Sequence, residues 1–91
     1  MIVTAKTYKF NDLSILIYSF PKKDDILPKH KHDSDMVHIT IVTNGSFKVS
    51  GPWGEIVAKP GQILDWAVGQ EHELIALEDN SKFINILKNV P

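Results

Sequence analysis

Ninety-one residues at 43% hydrophobic and 23% charged imply one soluble globular domain, 1–91, and exclude a disordered chain. A formal net charge of −1 and the absence of cysteine argue against nucleic acid or an anionic membrane as partner, and against disulfides, thiolate metal sites or a Cys nucleophile. The opening MIVTAKTYKF has no signal-peptide core, and no run reaches membrane-spanning length, so a cytoplasmic protein is expected.

In chain order, an Asn11-Asp12 turn precedes LSILIYSF (13–20), whose β-branched and aromatic content predicts a strand. PKKDDILPK (21–29), with two prolines and four neighbouring charges, is the most loop-like stretch. MVHITIVT (36–43) predicts a second strand, and Asn44-Gly45 before SFKVS predicts a type I′ hairpin, whose two central residues need positive φ. GPWG (51–54) turns the chain into EIVAK, and Pro60-Gly61 turns it into QILDWAV. HELIALE and KFINILK follow, separated by DNS. No window carries an apolar stripe at helical spacing. Seven to nine strands with turns every eight to twelve residues predict an all-β antiparallel sandwich or small barrel.

Three of the four histidines fall in PKHKHDSDMVH (28–38), and the fourth is His72. Alternation along a strand puts His30 and His32 on one face, His38 with Thr40 and Val42, and His72 with Leu74 and Ala76. Each histidine also has an ordinary reading. His30 and His32 sit in a Lys/Asp-rich stretch that suits solvated side chains, His38 suits a hydrogen-bonded core or edge residue, and His72 suits a turn. Their joint spacing separates the two cases.

That spacing resembles the two signature motifs of the cupin superfamily. The first runs Gly, five residues, His-x-His, three or four residues, Glu, six residues, Gly. His30 and His32 supply its His-x-His, and His38, six residues before Gly45, falls where the family has glutamate. The second runs Gly, five residues, Pro-x-Gly, two residues, His, three residues, Asn. Gly61, Gly69 and His72 match it, with Ala67 in place of proline and Ala76 in place of asparagine. Five residues separate His32 from His38, and no glycine opens the first motif. The resemblance covers about residues 28–76 and implies a single antiparallel jelly-roll β-barrel with one divalent transition metal ion inside. The implied ligands are His30, His32, His38 and His72, as in four-histidine cupins, with Asp33 or Asp35 as alternatives for the carboxylate position.

Four neutral imidazoles would leave the ion its full charge and suit Fe, Ni, Zn or Cu, with Mn also compatible. Acidification below about pH 6 should release the metal by protonating its ligands. The resemblance spans enzymes and non-enzymes. The economical expectation is a metal-dependent oxidoreductase of dioxygenase type acting on a small enol, diketone or catechol-like compound. Its alternatives are a non-catalytic small-molecule binding or sensing protein anchored by the metal, and a structural metal-bound barrel. Thr40, Asp65 and Tyr18 are the polar candidates near the barrel wall, while Trp53, Trp66, Phe47 and Phe83 are expected to fill the core or line the cavity. By analogy with small cupins, a homodimer is expected, with Ile39, Ile41, Ile84 and Ile86 as its apolar strand residues.

Overall fold

Alternating patterns become strands when one face of each can be buried. In the computed structural model, which describes residues 4–30, 36–66 and 71–89 and side chains over 5–28, 39–65 and 71–88, nine strands do so. They are β1 (Thr4–Phe10), β2 (Leu13–Phe20), β3 (Ile26–His30), β4 (Met36–Asn44), β5 (Phe47–Gly51), β6 (Gly54–Ala58), β7 (Ile63–Trp66), β8 (His72–Ala76) and β9 (Ser81–Asn89). Every pairing among them is antiparallel. One sheet has the order β1-β2-β9-β4-β7 and the other β3-β8-β5-β6. The architecture is all-β and jelly-roll-like, with two sheets packed face to face.

The core lies between the sheets. Phe83, Thr40 and Val42 of the five-stranded sheet are buried, as are Phe47, Val49, Leu74 and Ala76 of the four-stranded one. Phe20, Phe47 and Phe83 form an aromatic plug with centroids 4.9 to 5.5 Å apart, and Tyr18 stacks on Phe83 at 4.9 Å. Edge-to-face pairs such as Phe20–Phe47 and Phe47–Phe83 each add about 0.5–1.5 kcal/mol beyond burial. This plug fills one end of the sandwich.

Three readings from sequence change here. First, residues 26–29 are strand rather than loop: Ile26 and Leu27 pair with Ile75 and Leu74, and the register shifts before His30 pairs with His72. Pro28 lies in that shift, where the missing N–H costs no regular ladder bond. Second, Asn44-Gly45 is not a hairpin turn. Gly45 has φ 68°, but Asn44 is not among the residues with positive φ, and β4 and β5 belong to different sheets. The chain turns a corner there, against Ser81. Third, Trp53 does not fill the core; it is 48% exposed. The strand at 4–10 completes the five-stranded sheet as its edge, joined to β2 through Asn11-Asp12 with Asn11 at φ 53°.

Candidate metal centre

Register fixes where the histidines stand. Along β8, His72, Leu74 and Ala76 are all buried while Glu73 and Ile75 are only partly covered, so His72 heads the inward face, as alternation predicts. Its exposure is 1%. His30 of β3 is its direct cross-strand partner. Starting from the aromatic plug, Phe47 pairs with Ala76 and Val49 with Leu74, and the next inward step reaches His72. On the facing sheet, Val42 pairs with Phe83, Thr40 with Asn85 and His38 with Leu87. His38 and His72 therefore stand the same number of steps from the plug, at the same end of the sandwich. His32 lies outside the described residues, as do the side chains of His30 and His38, Asp33, Asp35 and the Ala67–Gly69 part of the second motif. Among the described residues, no three His, Cys, Asp or Glu side chains gather into a metal-holding group.

The motif glycines have a structural cause. Gly45 and Gly61 take φ 68° and 88°, a region costly for residues with a Cβ. A Cβ on Gly45 would overlap Ser81 Oγ and come within 2.9 Å of Ser81 Cα. The missing first glycine is also accounted for. Six residues before His30 stands Asp24, with φ 72°; aspartate is one of the few non-glycine residues that tolerate this conformation. Its N–H donates to the Ala76 carbonyl at 2.8 Å, and Ala76 N–H returns a bond to Asp25 O at 2.9 Å. The first and second motifs are thus tied together by backbone.

The inner wall carries few polar groups. Thr40 Oγ1 donates to Asn85 Oδ1 at 2.6 Å, and both residues are buried. Asn85 was not singled out from sequence, although its signal is present: in KFINILK it is the polar residue on the face of Phe83 and Leu87. Tyr18 lies half-buried against Phe83, and burial pushes its phenol above the usual tyrosine range. Asp65 is exposed on the opposite face of β7 from Leu64, which packs against the core. It takes no part in the cavity wall. An imidazole at 1% exposure on a strand face shared with Leu74 and Ala76, with a second histidine directly across the ladder, is of a type that suits a nitrogen-preferring transition metal better than Mg or Ca.

No protein-family model matches the chain, and no curated protein sequence does. Solved structures do. KdgF from Halomonas sp. superposes with a TM-score of 0.86 at 21% identity, covering 98% of this chain and 82% of its own. An RmlC-like cupin protein from Desulfovibrio desulfuricans gives 0.84 at 20% identity, covering 94% and 81%. The chain has the cupin fold. A sugar phosphate isomerase of the cupin superfamily from Silicibacter pomeroyi gives 0.75 at 14% identity, covering 89% of this chain and 53% of its own. The strand register brings His72 and the backbones of His30 and His38 to one end of the sandwich. Among the described residues, no helix is long and apolar enough to cross a membrane.

Proposed function

We propose that this cupin barrel binds one divalent transition metal ion through His30, His32, His38 and His72, and acts as a dioxygenase-type oxidoreductase on a small enol, diketone or catechol-like compound. The observation that carries the reading is the burial of His72 at 1% exposure on an otherwise apolar inward face, directly across the ladder from His30. The spacing of the four histidines, with His72 and His30 facing each other across the ladder, is what points to a shared metal ion. When bound, the metal supplies a Lewis-acid and redox centre for a chelating oxygen donor and O2. The chain's own contribution is a dry wall of Leu74, Val49 and Leu87 and a fixed polar pair, Thr40 and Asn85. That pair gives a bound ligand a place to be oriented by hydrogen bonds.

The test is O2 uptake by protein loaded with Fe(II) or Mn(II), across a panel of diketones and catechols. Metal-dependent uptake with at least one compound is expected. Compounds that raise the melting temperature without driving uptake would replace the enzyme with the metal-anchored binder. The isomerase among the structural neighbours adds one comparison: a sugar phosphate in the same panel should drive neither uptake nor isomerisation.

We also propose that a second copy of the chain covers the outer face of the five-stranded sheet. Register lines up Tyr8, Ile15, Ile86 and Ile39 in one row and Ile17, Ile84, Ile41 and Ile63 in the next. Ile63 is 65% exposed. Two apolar rows, each across four strands, form a contiguous apolar face of the kind that marks an interface. Lys6 and Asp65 end the rows on opposite edges, a self-complementary arrangement suited to an isologous pair.

A further inference from the structure

The row of the four-stranded sheet that contains His72 continues into a gap. β5 pairs with β8 up to Ser50 and Glu73, and the next step of that register sets Gly51 beside His72. Gly51 pairs in turn with Gly54 of β6. Beyond the two histidines, this end of the inner face therefore has no side chains of its own on β5 and β6. Phe47 and Val49 point inward, so the absent Gly51 side chain would point inward too. The space is filled from the turn. A Cβ on Gly51 would lie 2.9 Å from Trp53 Cε2 and 3.1 Å from both Cζ2 and Nε1. The indole is thus laid over the glycine whose register position is next to His72, while 48% of Trp53 remains exposed. Ile56, on the inward side of the edge strand β6 opposite Val49, is 41% exposed.

We propose that Trp53 is the specificity-determining residue of the cavity mouth, a stacking platform for the ring of a planar aromatic ligand. This rests on the metal-centre reading and narrows it: among enols, diketones and catechols, the platform selects the catechol-like compound. A small diketone has no ring to lay on the indole, whereas a catechol chelates through two oxygens and offers its ring face. Gly51 is the positioning residue that lets the indole lie there. Its φ is not in the left-handed region, so the role of this glycine is close approach rather than backbone freedom.

The experiment measures equilibrium binding of two probes, 4-nitrocatechol and acetylacetone, to metal-loaded wild-type protein and to Trp53→Ala, Trp53→Phe and Gly51→Ala. Metal content and melting temperature are measured alongside. The platform predicts that Trp53→Ala and Gly51→Ala each weaken 4-nitrocatechol by roughly threefold to tenfold, the scale of one aromatic contact. Trp53→Phe keeps most of the affinity, and acetylacetone and bound metal stay at wild-type levels throughout. Quenching of indole fluorescence by 4-nitrocatechol should fall in Trp53→Ala to the part contributed by Trp66. Equal weakening of both probes, or no weakening of either, overturns the platform. Wild-type binding of acetylacetone without 4-nitrocatechol overturns it while leaving the metal centre standing; binding of neither probe to metal-loaded protein sinks both.

Discussion

Single residues carry the chemistry through what surrounds them. The Thr40–Asn85 bond is short and buried, so removing one partner leaves the other's polar atom without its mate in a dry wall. Thr40→Val should cost about 1–3 kcal/mol in urea denaturation, and the double variant with Asn85→Leu should recover much of the loss, because both polar groups are then gone. Tyr18 gives a pH-dependent counterpart. Burial raises its phenol pKa, so the folded state holds this proton more tightly than the unfolded chain. Its contribution is fully present below the unfolded value of about 10 and is lost as pH rises above it. Alkaline unfolding monitored by circular dichroism should therefore begin at higher pH in Tyr18→Phe than in the wild type; identical profiles would remove Tyr18 from the linkage.

At the scale of elements, corners rather than strands constrain the motif. Gly45 closes the passage of β4 into the opposite sheet, at φ 68° and hard against Ser81. Gly45→Ala combines a strained conformation with a steric overlap and should cost about 2 kcal/mol or more in thermal or urea unfolding. The strands themselves were legible because alternation is a local signal: LSILIYSF, KFINILK and the HELIA of HELIALE all lie in strands, and in HELIALE the inward face of His72, Leu74 and Ala76 is the one that alternation predicts. The pairings were not. Asn44-Gly45 has the composition of a hairpin turn, yet β4 finds β9 and β7 as partners, since burying Thr40 and Val42 against the other sheet outweighs the local preference. ILPKH looked like loop because its proline and charges are loop-like. Only β8, distant in sequence, makes it a strand. The candidate site divides in the same way. His72 heading an apolar face was legible, whereas Trp53 was expected in the core or cavity wall, and its seat over Gly51 depends on a turn geometry that composition does not encode.

For the whole molecule, the sandwich has two unlike ends and two unlike outer faces. Phenylalanines close one end, and the other holds the histidine row and the glycine gap. The outer face of the five-stranded sheet carries two isoleucine-rich rows, whereas that of the four-stranded sheet is mixed, with Lys48 paired to Glu55 at 2.8 Å. Dimerisation through the first face would leave the histidine end open to small molecules. Ile41→Lys places a charge in the middle of the apolar rows and should shift the protein from dimer to monomer in sedimentation velocity without changing metal content. A wild-type monomer at micromolar concentration would contradict the pairing. Elemental analysis of purified protein is the decisive measurement for the four-histidine centre. About one transition-metal ion per chain is expected in the wild type, most of it lost in His72→Ala and in His32→Ala with the fold retained, and kept in His38→Glu. Wild-type metal content in both alanine variants would contradict it.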